Sequence, residues 1–387
     1  MHLVLSADDS RSDLERELRQ SFAGARELAP GLFAADLAGE AWPYLCFARQ
    51  VLPGAREQQA ASIKAWATIL ADAIVGVLPD DAPWSLHVVP FREVVSSTRQ
   101  GARAWHSRAR SGGAHAEREQ VRQGAGLNRC RLIGEALVEL LQKRRRHLLR
   151  GLRKSSTLPS AQPAPFSPDE ALVQLLLTSP EAGYLSVTPA PLPFSARHAL
   201  SHFPGGQVPL AIDKQAPSRA FAKLVEAELR LGRRISARET CVDLGAAPGS
   251  WTYVAARRGA RITAVDRSEL RDDLMRTKGV RFHQGDAFRF EPAEPVDWLI
   301  CDVIAAAERS AELLLRWLRQ GWCRNFVVTL KLDDSGSESV LSRLKQELPP
   351  LTRELGLSKL CANKKEVCAF GSASARVSAT SDTLAES

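Results

Sequence analysis

The chain has 387 residues, 44% hydrophobic and 25% charged, with a formal net charge of +8. That length is too great for one compact core of ordinary size and predicts two or more soluble, globular domains. No run of eighteen apolar residues exists, and the start Met1-His2-Leu3-Val4-Leu5 has neither the basic head nor the long apolar stretch of a signal peptide, so a cytoplasmic protein without membrane contact is expected.

In chain order, Leu3-Val4-Leu5 reads as a short strand and Ser85 to Val89 as another. Between Ser97 and Lys154 fifteen Lys/Arg stand against four Glu, a local charge of +11, so the rest of the chain is slightly acidic. Such a segment is expected of a polyanion-binding surface. Leu132 to Leu149 has apolar residues at helical spacing with arginines on the other face. Its basic run is Lys143, Arg144, Arg145, Arg146, Arg150, Arg153 and Lys154, and Arg99, Arg103, Arg108 and Arg110 precede it, with Trp105 as a candidate stacker. These positions are expected to contact the phosphates of a polyanion, although a charge run can also be only a solvated face.

Ser155 to Asp169 is Pro- and Ser-rich and reads as irregular. Ala171 to Leu177 and Gly183 to Val187 flank Ser179-Pro180-Glu181-Ala182 and predict a hairpin. Pro189 to Pro193 predicts a hinge. The expected organisation is an α+β region over 1–195, a second domain over 196–371, and a Ser/Ala/Thr-rich disordered tail over 372–387.

Past the hinge, strand and helix alternate. Thr240 to Leu244 predicts a strand and leads through a glycine turn into a helix ending near Arg258. Arg261 to Val265, Val280 to Phe282, Asp297 to Cys301 and Asn325 to Lys331 predict further strands. A helix over Glu308 to Trp322 lies before the last of them, and a late strand runs from Glu366 to Phe370. This order predicts a Rossmann-like α/β domain, a parallel sheet with helices on both faces.

The turn Asp243-Leu244-Gly245-Ala246-Ala247-Pro248-Gly249-Ser250-Trp251 sits between the first strand and first helix of that domain. Gly245 and Gly249 permit a sharp turn and close approach of a ligand beyond the strand ends. A dinucleotide site would read G-x-G-x-x-G, whereas Pro248 stands here without an N–H for a pyrophosphate. An adenosine cofactor lacking phosphates suits the turn better. Asp266 closes the second strand, where a carboxylate can accept ribose hydroxyls, and Asp286 follows the third, within reach of an adenine amino group. Any one such aspartate is as readily a turn or helix cap; three at successive strand ends point to a cofactor.

The chemistry is narrowed at the next strand ends. Asp302 is followed by Val303-Ile304, not by the Pro-Pro-aromatic that accompanies exocyclic-amine methylation. Carbon methylation of a pyrimidine needs a thiolate, and Cys301 points to the face opposite Asp302. The seven cysteines form no C-x-x-C pair, so neither a zinc site nor a disulfide framework is expected, and no metal is assigned. Lys223, Asp302, Lys331 and Glu366 remain. A ribose hydroxyl needs a base as it attacks an activated methyl group, and a lysine serves when its surroundings favour the free amine.

These residues resemble the FtsJ-type ribose 2′-O-methyltransferases, and within them the RlmM group. Ser218-Arg219-Ala220-Phe221-Ala222-Lys223 is similar to that family's S-R-x-x-x-K motif. Asp297 to Asp302, Trp317-Leu318, Gly321 to Arg324, Leu330-Lys331-Leu332, Lys365-Glu366-Val367 and Phe47 to Gln50 resemble the group more narrowly. The resemblance implies S-adenosylmethionine as cofactor, bound by Ser218, the stretch 243–251, Asp266, Asp286 and Asp302. It further implies Lys223, Asp302, Lys331 and Glu366 as the catalytic set, with Lys331 as base. The implied substrate is a cytidine ribose of bacterial large-subunit ribosomal RNA before full assembly, met by a monomer with a THUMP-type N-terminal region. The same catalytic set would serve on tRNA, and an inactive methyltransferase fold that only binds RNA is the non-enzyme alternative. Ser250 stands where a second glycine is usual, and Ala220 where the group has a serine.

Overall fold

A computed structural model describes residues 1–22, 24–36, 42–91, 114–153, 169–191, 199–332 and 337–374. The chain divides into two compact units. One comprises Met1–Asp213 with Leu357–Asn363, the other Lys214–Gly356 with Lys364–Ser387.

The first unit is α+β. Its elements are β1 (His2–Ser6), α1 (Arg11–Ser21), β2 (Arg26–Ala29), β3 (Leu32–Ala35), β4 (Ala48–Leu52), β5 (Arg56–Gln59), α2 (Ile63–Val75), β6 (Trp84–Pro90), α3 (Ala114–Arg144), β7 (Leu152–Arg153), β8 (Ala171–Leu177) and β9 (Ala182–Thr188). A four-stranded sheet has the order β2-β3-β1-β4 and a five-stranded sheet the order β5-β9-β8-β6-β7. The expected hairpin is the antiparallel β8–β9 pair, in register from Leu172 opposite Thr188 to Leu177 opposite Gly183. Ser62 starts α2 by accepting the Ala65 N–H on its hydroxyl at 3.1 Å. On α3, Cys130, Ile133, Leu137 and Leu141 are buried at helical spacing and pack with Trp66, Leu70 and Ile74 of α2. The helix expected to run to Leu149 ends at Arg144; Arg146–Arg150 forms a 3-10 turn instead.

The second unit carries α4 (Phe221–Leu231), β10 (Thr240–Leu244), α5 (Ser250–Arg257), β11 (Arg261–Asp266), α6 (Asp272–Met275), β12 (Val280–Gln284), β13 (Val296–Cys301), α7 (Ala307–Arg319), β14 (Cys323–Lys331), α8 (Ser337–Glu347), β15 (Thr352–Ser358) and β16 (Glu366–Ala373). The seven-stranded sheet runs β12-β11-β10-β13-β14-β16-β15. The first five strands in that order pair in parallel. The expectation of a wholly parallel sheet fails at β16, which pairs antiparallel with β14 from Asn325 opposite Ser372 to Lys331 opposite Glu366. That reversal matters, because it brings the start of β16 to the end of β14. Helix α7 buries Ala307, Ala311, Leu314, Leu315 and Leu318, the stripe a helix lays on a sheet. It stops at Arg319, short of the expected Trp322. Helix α4 ends where Gly232 takes φ +68°, a left-handed conformation that glycine adopts without steric cost. β16 continues through Ala373, so Ser372 and Ala373, expected in the tail, are strand residues, and 375–387 lie outside the described residues.

Candidate active site

The carboxyl ends of β10, β11, β13 and β14 converge with the start of α4. Lys223 lies on the first turn of α4, Asp302 follows β13, Lys331 ends β14 and Glu366 opens β16. Nothing close in sequence joins them; the sheet order does. Lys223 Nζ lies 3.0 and 3.1 Å from the two oxygens of Asp302. It also lies 2.5 Å from Glu366 Oε2. Lys331 Nζ donates to Glu366 Oε1 and lies 3.6 Å from Asp302 Oδ1. Two lysine amines and two carboxylates thus form one cluster.

The two lysines differ in environment. The Lys223 side chain is 9% exposed and the Lys331 side chain 25%. Burial disfavours the Lys223 ammonium, yet Asp302 and then Glu366 outweigh burial and raise its pKa above the ordinary lysine value. Lys223 is therefore a fixed cation, and Lys331 is the amine that an incoming molecule can reach. Cys301 is fully buried, and desolvation pushes its thiol up to about 12. It cannot supply a thiolate, in agreement with the sequence reading.

The glycine turn stands beside this cluster. Gly245 and Ala246 donate their N–H groups to Val265 O at 2.9 and 3.2 Å, folding the turn over the end of β11. Gly245 has φ +73°, and a Cβ there would come within 2.8 Å of Val303 Cα. Gly249 has φ +106°, and a Cβ there would strike Leu274 Cδ1. Both positions therefore require glycine for backbone and packing.

The aspartates have distinct roles. Asp266 accepts the Ala247 N–H at 3.0 Å and the Ser268 N–H at 2.9 Å, one on each carboxylate oxygen. Asp286 accepts the Phe288 N–H at 2.9 Å and faces Arg267 at 2.8 Å; these two hold its carboxyl below the ordinary value. Both remain partly exposed at adjacent strand ends. Asp243 is different. It is buried, and it accepts the Thr252 hydroxyl at 2.6 Å inside the fold. Desolvation pushes its pKa up to about 7 against the lowering effect of Thr252. Its side chain braces α5 against β10 and is not presented to a ligand.

Ser218 and Ser250, expected only as cofactor contacts, bond to each other at 2.7 Å. Trp251 is buried and donates its indole N–H to Ala220 O at 2.8 Å. These two bonds tie the segment that leads into Lys223 to the glycine turn. The signal for them lay in the polar side chain at 250, where glycine is usual.

The donor set suits a nucleoside cofactor. Hydroxyl and amine donors can be met by Asp266 and Asp286, and the turn 245–249 offers no cation for phosphates. Among the described residues there is no cluster of His, Cys, Asp and Glu able to hold a metal ion.

In the first unit, much of the basic run is already neutralised. Arg144 meets Asp72 at 2.8 Å, Arg145 meets Asp80 at 3.1 Å, Arg150 meets Asp81 at 3.5 Å, and Arg153 pairs with Glu170. Lys143 lies on the last turn of α3, and Arg146 opens the 3-10 turn that follows. Lys154, Arg99, Arg103, Trp105, Arg108 and Arg110 lie outside the described residues. No helix among the described residues is long and apolar enough to cross a membrane.

Residues 216–332 match the FtsJ-like methyltransferase family. The ribosomal RNA large subunit methyltransferase M of Pseudomonas syringae pv. syringae (strain B728a) is 43% identical over 136 residues, 34% of this chain and 38% of the relative. The protein of the same name from Thauera aminoaromatica is 34% identical over 198 residues, 48% of this chain and 54% of the relative. The chain thus spans about half or less of the length of the curated relatives it matches. Among solved structures, the Methanococcus jannaschii fibrillarin pre-rRNA processing protein is 13% identical with a TM-score of 0.31, covering 53% of this chain and 84% of that one.

Proposed function

We propose that the second unit transfers a methyl group from S-adenosylmethionine to a ribose 2′-hydroxyl of RNA, and that the RNA is large-subunit ribosomal RNA. The observation that carries this reading is the convergence of Lys223, Asp302, Lys331 and Glu366 beside the glycine turn. The match of residues 216–332 to FtsJ-like methyltransferases and the relatives' name support the same chemistry and substrate.

S-adenosylmethionine, when bound, supplies a methyl group on a positively charged sulfur. Asp266 and Asp286 would accept from its ribose hydroxyls and adenine amine. The turn 245–249 would lie along it. Lys331 would take the 2′-hydroxyl proton, so that the ribose oxygen could bond the methyl carbon as the bond from that carbon to sulfur breaks and its electron pair stays on the sulfur. The ammonium so formed stays between Glu366 and Asp302, which already flank Nζ. Lys223 keeps its proton throughout and locks both carboxylates in place.

The first unit is read as a THUMP-type RNA-binding region. Its basic surface would hold phosphates in a salt-dependent, weakly sequence-specific way, while the unpaired target nucleotide enters the second unit. An RNA not yet enclosed in an assembled particle is the substrate this requires.

The decisive experiment is transfer of labelled methyl groups to ribosomal RNA, followed by mapping of ribose methylation with and without the protein. A new 2′-O-methyl ribose in large-subunit RNA is the expected result. RNA binding without methyl transfer would refute the enzymatic reading and leave a binding module.

A further inference from the structure

Ile304 is 90% exposed, more than any other large apolar side chain among the described residues. A single exposed aliphatic is ordinary. Its location is not. Asp302 and Ala306 bracket it, and both touch Lys331: Asp302 through its carboxylate at 3.6 Å, Ala306 through a parallel backbone bridge. With Cα atoms 3.8 Å apart along the chain, Ile304 Cα lies within about 8 Å of both bracketing Cα atoms.

The loop is held as well as placed. Val303 packs on Gly245 so closely that a Cβ on the glycine would meet it at 2.8 Å. Ala306 O accepts the Arg309 and Ser310 N–H groups at 3.1 and 3.3 Å and so starts α7. Ile304 lies between two fixed points, and its exposed side chain belongs to a residue two positions from Asp302 and two from Ala306, both of which touch Lys331. The flanking residues Val303, Ala305 and Ala306 are apolar too, so no side chain there offers a hydrogen bond to a base edge.

We propose that Ile304 is a substrate-contact residue that packs against the face of the target nucleobase. This rests on the reading of the site as a ribose methyltransferase and deepens it. Presenting a 2′-hydroxyl to Lys331 requires the nucleotide to leave its stack, and the exposed ring face then needs an apolar surface. An aliphatic side chain supplies one for any base, since every base has such a face. The contact positions the nucleotide and does not by itself select its identity.

The variants are I304S, which removes the apolar surface, and I304F, which enlarges it. Neither disturbs a buried contact, so both are expected to fold. Steady-state methyl transfer to ribosomal RNA is measured with cofactor affinity, and binding of a short single-stranded RNA oligonucleotide is read separately by fluorescence anisotropy. In I304S the KM for RNA is expected to rise about tenfold, the order expected for losing one aliphatic burial, with kcat and cofactor affinity within about twofold. I304F is expected to keep or lower KM. The oligonucleotide Kd should follow KM. Unchanged RNA KM and Kd in I304S would overturn the assignment while leaving the methyltransferase reading intact. Absence of methyl transfer by the unaltered protein would sink that reading, and the oligonucleotide Kd would still judge Ile304. Self-association that I304S abolishes would assign the side chain to a protein contact and overturn the proposal.

Discussion

Replacement of Lys331 separates a proton acceptor from a mere positive charge. In Lys331→Ala neither carboxylate is orphaned, because Lys223 remains 2.5 Å from Glu366 and 3.0 Å from Asp302. The lost pair is partly exposed, so the stability cost should be about 1 kcal/mol or less. Loss of a general base is worth about 10²–10⁴ in rate, or roughly 3–5 kcal/mol in the barrier. Lys331→Arg keeps a cation able to pair with Glu366 but cannot accept a proton at accessible pH. Both variants should therefore lose transfer to a similar degree, while cofactor affinity stays unchanged. Single-turnover transfer of labelled methyl groups gives the rate, and titration calorimetry gives the cofactor affinity. If Lys331→Arg retained a rate within about threefold of the original, Lys331 would be an electrostatic prop and the assigned base would be wrong.

Three further outcomes are expected. Asp243 has a folded pKa of about 7 against an ordinary 3.8, so the folded state binds the extra proton between those values and stability falls as pH rises from about 4 to 7. The fall is on the order of 4 kcal/mol at most, and Asp243→Asn should abolish it in urea midpoints taken across that range. Ser250→Ala cuts the bond to Ser218. It should cost about 1 kcal/mol in stability and lower kcat several-fold by loosening the segment that carries Lys223; an unchanged kcat would show that the two serines do not position it. Arg146→Ala should flatten the slope of log affinity for single-stranded RNA against log salt by about 0.7, and Arg144→Ala by less, because Asp72 already neutralises Arg144. Equal slopes for all three proteins would remove this surface from the RNA interface.

The α/β half was readable because most of its strands are short, largely apolar runs. Thr240 to Leu244 and Asn325 to Lys331 fall inside observed strands. The first unit was less readable. β2 and β5 are Arg26–Ala29 and Arg56–Gln59, polar four-residue strands at sheet edges that carry no alternation to detect. The reversal at β16 was also hidden, since direction is set by pairing and not by local pattern. Asp243 shows a different limit. A motif aspartate looks the same in sequence whether it faces a ligand or, as here, a buried threonine. The basic run was legible as charge, but the acids that meet it at Asp72, Asp80, Asp81 and Glu170 come from distant parts of the chain.

The two lysines could not be told apart from spacing, and the structure separates them by burial. Lys223 sits on a helix whose inner face it shares with Leu224 and Ala227, so its ammonium is taken out of water and survives only because two carboxylates surround it. A lysine so held loses its proton with difficulty and makes a poor base. Lys331 sits where β14 leaves the sheet, shares the same carboxylates, and keeps a quarter of its surface open. On the proposed mechanism the same two acids would do two jobs: retain the proton on the inner amine and hold the outer amine once it has taken a proton. Sheet order, which sets β16 antiparallel beside β14, decides which lysine is outer. Had β16 run parallel, Glu366 would lie at the far end of the strand, away from Lys331.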